Sequence, residues 1–328
     1  MITFWTGALA LTLVLYVVLD GFDLGVGMLF GLSRDEQHKR QMLNSISPVW
    51  DGNETWLVLT ASILFGAFPM VYSLVLSAFY LPIFLMLAAL IFRGVAFEFR
   101  EKSLNRRWFW DAGFSLGSFV ASFVQGAAVG ALVEGIPNSA GRFTGSAFGW
   151  LTPFSILCGM GLCLGYCLLG ASWIVKKSEG ELHDIAHRYV PRILMGVLLF
   201  LAVAFVASLL IDLPVMSRWT DRPVLVLFPL IGVLACSLIA YGIRSNRDRL
   251  PFFGTVLLFL SAFGTLAASF LPYMVPFSIT IQQAAAPHAS LSFMFWGAGV
   301  FVLPLTLVYT FAVYWLFKGK THPDESYH

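Results

Sequence analysis

The chain has 328 residues, of which 58% are hydrophobic and only 12% are charged, and its mean hydropathy is +0.80. A soluble globular domain carries about 25% charged residues, so this composition excludes a soluble enzyme, a disordered chain, a nucleic-acid-binding protein and a disulfide scaffold. The four cysteines form no CxxC pair and lie inside apolar runs, which indicates packing residues rather than a zinc site or a disulfide. The composition predicts a polytopic membrane protein.

The hydrophobic runs predict nine membrane-spanning helices in a single integral membrane domain, because a helix needs about 20 apolar residues to cross a bilayer. The runs are continuously apolar, whereas the strands of a membrane barrel alternate. The first run is expected to stay as a span rather than to be cleaved as a signal, because no Lys or Arg precedes Arg34. The predicted spans are roughly 3–31, 50–68, 73–98, 111–133, 150–175, 192–212, 223–243, 252–275 and 290–317.

The basic residues are distributed very unevenly between the two sets of loops. Of the 20 Lys and Arg residues, 16 fall in the tail and in one set of loops, and Arg93 lies inside the third span. The opposite set of loops holds only Arg142, Arg218 and Arg222. Basic residues concentrate on the cytoplasmic side of membrane proteins. The pattern therefore predicts an external N-terminus, a cytoplasmic C-terminus and an odd number of spans.

Two pairs of acidic residues lie within or at the edge of the first two spans. Asp20 and Asp23 belong to the first span, and Asp51 and Glu54 to the start of the second, each pair on one helix face because of its i, i+3 spacing. At 1.5 Å per residue, Asp20 lies about 27 Å along the first helix and hence near the cytoplasmic edge. Neighbouring carboxylates in a low-dielectric site cannot all ionise, so at least one holds a proton. The four carboxyls are therefore predicted to converge and to begin a proton path.

A purely local role for the second pair stays open. Asp51 and Glu54 fit a capping box in which Asp51 is the N-cap of the second span. Ser47 as N-cap, followed by Pro48 at the first helical position, fits equally well.

A structural role for the first pair also stays open, since Asp20 and Asp23 could pair with Arg93 and hold the bundle together. Glu98 and Arg100, near the end of the third span, are further ion-pair candidates. The glycines beside the acids predict close helix packing rather than ligand binding; they are Gly21, Gly25 and Gly27.

The histidines offer no haem ligand within a predicted span. His183 and His187 have the i, i+4 spacing that suits a metal, but no third ligand is near in the sequence, which favours a solvated loop helix. If haem is involved, another chain is expected to hold it. The histidines map to loops, the tail or the lip of a span, at His38, His183, His187, His288, His322 and His328.

Seven motifs, spread from the first span to the eighth, carry a family resemblance. They are Asp20-Gly21-Phe22-Asp23-Leu24-Gly25-Val26-Gly27, Pro48-Val49-Trp50-Asp51-Gly52-Asn53-Glu54-Thr55-Trp56-Leu57, Phe68-Pro69, Phe79-Tyr80, Phe92-Arg93-Gly94-Val95-Ala96-Phe97-Glu98-Phe99-Arg100, Gly180-Glu181-Leu182 and Leu271-Pro272-Tyr273-Met274-Val275-Pro276. Together they resemble the signatures of subunit II of cytochrome bd-type quinol oxidases. The compact length, Glu54 and the run 92–100 are most similar to the cyanide-insensitive ubiquinol oxidase branch. The stretch 277–290 departs from longer members, which carry extra polar residues there.

The resemblance implies an all-α fold of nine helices, arranged as two four-helix bundles plus one peripheral helix. It implies a heterodimer with a subunit I of similar fold, which carries two b-type haems, one d-type haem and the quinol site. Such a complex oxidises quinol in the bacterial cytoplasmic membrane, reduces dioxygen to water and takes the protons from the cytoplasm, which generates a proton-motive force. In this family the aspartate that matches Asp51, next to Trp50, belongs to a proton channel toward the haems.

The resemblance assigns no catalytic residue and no metal ligand to this chain itself. The implied proton path comprises Asp51, Trp50, Glu54, Asp20 and Asp23. The implied partners are subunit I, quinol and membrane lipids, without nucleic acid; some members add small single-helix accessory subunits or hold a structural quinone in this subunit.

Two other function classes remain open at this stage. A proton-coupled secondary transporter could use the same acids, but transporters commonly place their sites at the midplane, in broken helices of two repeats. Here the acids lie near one edge and only in the first half of the chain. A purely structural subunit, whose acids pair for assembly, is the third reading. A transporter should work when the chain is expressed alone, whereas an oxidase subunit should not.

Overall fold

The computed structural model describes residues 1–103, 105–211, 213, 219 and 221–321. The described residues form helices α1 Ile2–Phe30, α2 Glu36–Ile46, α3 Trp50–Ala67, α4 Pro69–Ala78, α5 Tyr80–Arg100, α6 Arg107–Glu134, α7 Pro153–Lys177, α8 Glu181–Leu210, α9 Leu227–Arg244, α10 Arg249–Phe270, α11 Ile281–Ala284, α12 His288–Met294 and α13 Val302–Leu316. A 3₁₀ turn, Pro223–Val226, precedes α9, and a π-helical segment, Phe295–Gly299, joins α12 to α13. The strands form two short antiparallel pairs, β1 Asn138–Ser139 with β2 Arg142–Phe143 and β3 Tyr273–Val275 with β4 Ile279–Thr280.

The fold is that of a helical polytopic membrane protein, as predicted. Among the described residues, eight helical segments are long and apolar enough to cross a membrane. The predicted second span is helix α3, which is not one of those eight because its first turns carry Asp51, Asn53 and Glu54. The count of nine spans therefore stays a prediction.

Two predicted spans have different boundaries in the structure because of prolines. The third begins at Pro69 and is interrupted at Phe79. Pro82 has no backbone N–H to donate to the carbonyl of Ala78, the last residue of α4. The eighth ends at Phe270 instead of continuing to residue 275, because Pro272 disfavours helical geometry at the residue before it.

The sixth span is much longer than predicted. Helix α8 begins at Glu181, eleven residues before the predicted start, and continues through Pro191 without a break. His183 and His187 therefore lie in the first turns of a long helix rather than in a separate loop helix. Hydrophobicity alone missed this start, because the first two turns of α8 are polar.

Helix α1 is the centre of the packing. It contacts α3, α6 and α7; α6 also packs on α5, and α7 packs on α8 and α10. Helices α9 and α10 form a further closely packed pair. These contacts bring the acidic segments of α1 and α3 into the interior of the molecule.

The glycines of α1 permit close helix packing, as predicted. A Cβ atom on Gly25 would lie 1.8 Å from the carbonyl oxygen of Tyr166, and one on Gly21 would lie 2.6 Å from the Tyr166 ring. A Cβ atom on Gly27 would lie 2.1 Å from the Ser118 hydroxyl. Only a residue without a side chain lets α6 and α7 approach α1 at these points.

The helix ends that carry most of the basic residues meet at one end of the molecule. Arg100, at the end of α5, is buried there and pairs with the carboxylates of Glu36 from α2 and Asp111 from α6. Lys39 of α2 approaches the same Asp111 carboxylate within 2.7 Å. Arg218, predicted to lie at the opposite end, falls outside the described residues.

Candidate site: a buried arginine among three carboxylates

A buried ion pair connects the first and third predicted spans. Nη1 of Arg93 donates to Oδ1 of Asp20 at 3.1 Å, and the same nitrogen donates to Oε1 of Glu54 at 2.9 Å. The Arg93 and Asp20 side chains are fully enclosed, whereas 28% of the Glu54 side chain is exposed. The Asp20–Arg93 pair is the contact that the structural alternative named, and Glu54 joins it from α3.

Asp23 does not pair with Arg93 directly but with an amide. Nδ2 of Asn53 donates to Oδ2 of Asp23 at 2.7 Å and to the carbonyl of Leu19 at 3.2 Å. The hydroxyl of Tyr314, on α13, donates to Oδ1 of Asn53 at 2.9 Å. Sequence reasoning missed both Asn53 and Tyr314. The position of Asn53 between the two acids of the second pair was a usable signal, whereas nothing in the sequence linked Tyr314 to α1.

Several buried polar atoms of this cluster have no protein partner among the described residues. They are Oδ2 of Asp20, Oδ1 of Asp23, and Nε and Nη2 of Arg93. Buried polar atoms that protein groups leave unsatisfied are the usual binding sites of internal water. These four atoms are therefore the candidate water-binding atoms of the cluster.

Asp51 lies at the exposed start of α3, one helical turn before Glu54. Its carboxylate accepts a hydrogen bond from the backbone N–H of Gly52 at 2.7 Å. Helix α3 begins at Trp50, with Val49 as the N-cap residue and without a side-chain cap. The hypothesis that Asp51 is the N-cap is therefore wrong.

The alternative cap is wrong as well. Ser47 is the C-cap of α2, and its backbone N–H bonds to the carbonyl of Leu43. Residues 47–49 form a tight turn between α2 and α3, so Ser47 ends one helix instead of starting the next.

Trp50 packs at the junction of α3 and α5. Its ring centroid lies 5.2 Å from that of Phe97, and the ring borders Gly94, where an added Cβ would be 3.4 Å away. Trp50 directly precedes Asp51 on α3, and Gly94 directly follows Arg93 on α5. Trp50 therefore packs between the start of α3 and the part of α5 that carries Arg93.

A narrow cleft runs between the start of α3 and α13, next to the Asn53–Tyr314 hydrogen bond. The cleft extends from the exposed first turn of α3 to Asn53, the buried amide that binds Asp23. The cleft is lined by Pro48, Val49, Gly52, Asn53, Tyr309, Thr310, Val313 and Tyr314.

Glu98 is not an ion-pair partner within the described part of the chain. Its side chain is exposed, because position 98 is five residues beyond Arg93 and points away from the buried face that Arg93 and Arg100 share. Arg100 is an ion-pair residue, as predicted, and its three carboxylate partners are Glu36, Glu101 and Asp111.

The described histidines lie at helix ends rather than inside a span. His183 contacts Asp248 at 3.1 Å and stacks on His187, with 5.8 Å between the ring centroids. In the described ranges no group of three or more His, Cys, Asp or Glu residues could hold a metal ion. His322 and His328 lie outside the described residues.

Comparisons with known proteins agree with this architecture. A family model described as cytochrome bd terminal oxidase subunit II matches residues 1–317. The chain is 32% identical over 356 residues to a probable cytochrome oxidase subunit 2 of Haemophilus influenzae, covering 98% of this chain and 92% of the relative. It is 31% identical over 362 residues to cytochrome bd-I ubiquinol oxidase subunit 2 of Escherichia coli, covering 98% and 95%.

The fold has a solved counterpart. A chain of the bd oxidase from Geobacillus thermodenitrificans matches with a TM-score of 0.78 and 17% identity, covering 96% of this chain and 98% of that one. At this level of identity the likeness concerns the fold alone.

Proposed function

The chain belongs to the cytochrome bd terminal oxidase subunit II family, and from that premise we propose that it conducts cytoplasmic protons toward the haems of a partner subunit. Membership makes the chain an integral membrane subunit of a bacterial quinol oxidase, an oxidoreductase complex of respiratory electron transport, and implies a subunit I. Under the proposal, subunit I holds two b-type haems and one d-type haem, oxidises quinol and reduces dioxygen to water. Subunit II holds no haem and supplies a proton path.

The observation that carries the proposal is the bridge that Arg93 makes between Glu54 and Asp20. Asp51 is exposed at the first turn of α3, Glu54 is partly exposed one turn further on, and Asp20 is fully buried. Asp51 and Glu54 are about one helical turn apart on α3, and Glu54 and Asp20 bind the same nitrogen of Arg93. A proton that enters at Asp51 has an acceptor at each step.

The charge balance of the cluster favours proton uptake. Asp20 and Glu54 bind the guanidinium of Arg93, and Asp23 lies one turn from Asp20 and binds Asn53 instead. If all three carboxyls were ionised, the buried site would carry a net charge of about −2, which a low-dielectric interior strongly disfavours. One carboxyl therefore exchanges a proton with little rearrangement, and the unpaired oxygens of Asp20 and Asp23 can bind the water that carries it.

The direction of the path follows from the distribution of basic residues. We propose that the end of the molecule that carries Lys39 and Arg100 faces the cytoplasm, with the N-terminus outside and nine spans. Reporter fusions should place the loops around Lys39, Arg106, Lys177 and Arg247 in the cytoplasm and the loop around Arg142 in the periplasm. A cytoplasmic Arg142 loop would overturn both the orientation and the span count.

The decisive experiment substitutes Asp51 in the assembled oxidase. Asp51→Asn keeps the size of the side chain and an oxygen that can accept from the Gly52 N–H, but it cannot exchange a proton. Quinol-driven oxygen consumption should fall severalfold, while haem content and assembly stay normal. Asp51→Ala also removes the hydrogen bond from the Gly52 N–H, and a typical hydrogen bond contributes about 1 kcal/mol.

Glu98→Gln is the matched control, because Glu98 is an exposed acid without an ion pair in the described chain. It removes the same charge near the same end of the molecule and should leave turnover unchanged. Full turnover in Asp51→Asn, together with loss of assembled complex in Asp51→Ala, would show that Asp51 is structural and that protons enter elsewhere.

The haem assignment has its own test. The isolated chain should show no haem Soret absorption, and the complex should show b- and d-type bands that survive substitution of His183, His187 or His288 by Ala. Loss of a band in any of these variants would place a haem ligand in this chain.

A further inference from the structure

Helix α13 contacts the rest of the described chain through one narrow face. Near the end of this face the hydroxyl of Tyr314 donates to Oδ1 of Asn53 at 2.9 Å, and Nδ2 of Asn53 donates to Asp23 at 2.7 Å. Two consecutive hydrogen bonds therefore link the end of α13 to a buried acid. The side chains of α13 that are at least partly buried recur at helical spacing, at Leu303, Thr306, Thr310, Val313 and Tyr314.

The residues that follow α13, up to Thr321, are bound to the ends of α7 and α2. Nζ of Lys177, the last residue of α7, donates to the carbonyl of Phe317 and, at 2.8 Å, to that of Gly319. The N–H of Thr321 donates to the carbonyl of Lys177 at 2.8 Å, and its hydroxyl does so at 3.1 Å. Nε2 of Gln41, on α2, donates to the carbonyl of Thr321 at 3.1 Å. The segment is thus fixed at both of its ends.

Lys177 is a buried lysine, with 6% exposure. In the described part of the chain its ammonium donates only to the carbonyls of Phe317 and Gly319, and it lies 5.3 Å from the centre of the Trp173 ring. A buried charge is costly unless polar groups surround it, and a cation near the last carbonyls of a helix is favourable. The ammonium and the segment therefore stabilise each other.

The path from Lys177 to Tyr314 is short. Phe317 is the C-cap of α13, and its backbone N–H completes the last turn of the helix, the turn that contains Tyr314. The Tyr314 ring also lies 6.2 Å from the ring of Trp173, which precedes Lys177 by one turn on α7. Helix α7 therefore holds the end of α13 at two successive levels.

The hydrogen bond from Tyr314 determines which end of the Asn53 amide faces Asp23. An amide has an oxygen that only accepts and a nitrogen that only donates. Because the Tyr314 hydroxyl donates to the oxygen, the nitrogen is left to bind the carboxyl of Asp23 and the carbonyl of Leu19. Without the hydroxyl, the amide loses the contact that fixes its orientation.

We infer that Lys177 is a positioning residue that anchors the segment after α13 and thereby keeps Tyr314 on Asn53 and Asn53 directed toward Asp23. The inference rests on the proposed role of the acid cluster in proton conduction, but it assigns this task to residues of α7 and α13 that lie outside the path itself. The ammonium acts at the surface end of α13, and its effect reaches the buried acid through two side chains.

The test introduces a fluorotyrosine at position 314 of the complete oxidase complex and records its fluorine NMR resonance. Asn53→Leu removes the acceptor of this hydroxyl and so defines the resonance of the unbonded state. Lys177→Met removes the ammonium but keeps a chain of similar length. It should move the resonance toward that reference and speed up hydrogen exchange at the Thr321 amide by about tenfold, because a charged donor is lost.

A double substitution tests whether Lys177 acts through Tyr314. Lys177→Met should slow oxygen consumption in the otherwise unchanged complex. In a Tyr314→Phe background it should cause no further loss, because both changes remove the same support of Asn53. Additive losses would show that Lys177 affects turnover by another route and would overturn the inference.

Lys318→Met is the matched control, because it removes a lysine of the same segment that lies over the Trp315 ring of α13 itself. It should change neither the resonance nor the exchange. Lys320→Ala is a milder variant for the case that Lys177→Met does not assemble. It breaks the ion pair with Asp248 at a partly exposed side chain, and it should move the resonance in the same direction by a smaller amount.

Faster exchange at Thr321 with an unmoved resonance, in either Lys177→Met or Lys320→Ala, would overturn the inference. Unchanged exchange in Lys177→Met would overturn it as well, since the ammonium would then not hold the segment. A moved resonance combined with full turnover in Asp51→Asn would retain the positioning role and reject the proton path.

Discussion

The guanidinium of Arg93 lies 3.1 Å from the carboxylate of Asp20, with both side chains buried. Helices α1 and α5 both pack on α6, and this ion pair joins them directly. A buried pair of this kind adds little net stability compared with apolar residues, but the loss of one partner leaves an uncompensated charge in the interior. Replacing one residue of the pair is therefore expected to destabilise the subunit more than replacing both.

This asymmetry gives the first prediction. Arg93→Leu should destabilise the subunit by about 3–5 kcal/mol and abolish assembled complex, because Asp20 and Glu54 both lose their cation. Arg93→Lys keeps the charge and should retain part of the complex. The double variant Arg93→Leu with Asp20→Leu should recover part of the assembly without turnover, because only the partly exposed Glu54 then lacks its cation. Haem content of the purified membranes measures all three, and equal loss in the single and double variants would contradict the prediction.

Sequence reasoning located the buried acids correctly because charges in apolar runs are conspicuous. Asp20 and Arg93 stand out for that reason, and their pairing follows from the need to neutralise each other. Glu98 was placed in the same group by proximity alone, although its helical angle puts it on the exposed face. Angular position on the helix was the information that proximity in the sequence did not supply.

The partners that sequence reasoning missed are neutral residues. Asn53 and Tyr314 carry no charge that would mark them in an apolar run, and their contacts join positions at least 30 residues apart. The break between α4 and α5 was missed because its cause is a single backbone group, the N–H that Pro82 lacks. Both kinds of feature depend on how the helices pack, which hydrophobicity does not encode.

The second prediction concerns the contact between α1 and α7. Gly25→Ala would place a Cβ atom 1.8 Å from the Tyr166 carbonyl oxygen, and a backbone atom cannot move aside as a flexible side chain can. Overpacking of this kind costs about 1–3 kcal/mol or more, so the variant should assemble poorly. Gly7→Ala, on the same helix, has nothing within 4 Å of the new Cβ and should assemble normally. Thermal unfolding of the purified complex compares the two, and equal midpoints would contradict close packing at Gly25.

The third prediction concerns the amide that holds Asp23. Asn53→Leu removes the donor to Asp23, whose two carboxyl oxygens then have no partner within the described part of the protein. The variant should lose about 1–3 kcal/mol of stability and turn over more slowly. Tyr314→Phe removes only the donor to Asn53 and should have the smaller effect.

Tyr309→Phe is the control for this pair of variants. Tyr309 lines the same cleft but is 53% exposed, so loss of its hydroxyl should change neither the unfolding midpoint nor oxygen consumption. An effect of Tyr309→Phe as large as that of Tyr314→Phe would show that the cleft, rather than the Asn53 hydrogen bond, is responsible.

The last prediction concerns the segment that follows α13, which is fixed to the ends of other helices. The N–H of Thr321 donates to the carbonyl of Lys177 at 2.8 Å, and Nζ of Lys320 lies 2.8 Å from the Asp248 carboxylate. Partial burial alone would raise the pKa of Asp248, but hydrogen bonds from Lys320 and His183 outweigh it and lower this pKa below the usual value.

An acid whose pKa is lower in the folded state contributes stability at pH values above its unfolded pKa, about 3.9. This contribution disappears as the pH falls through the folded value, so the segment should stay docked at neutral pH and loosen only in strongly acidic solution. Lys320→Ala should loosen it already at pH 7. An exposed ion pair contributes up to about 1 kcal/mol, so the Thr321 amide should exchange its hydrogen up to about fivefold faster. Lys318→Ala removes a lysine that lies over the Trp315 ring and should leave this exchange unchanged; equal acceleration in both variants would show that general charge, rather than the Lys320–Asp248 pair, holds the segment.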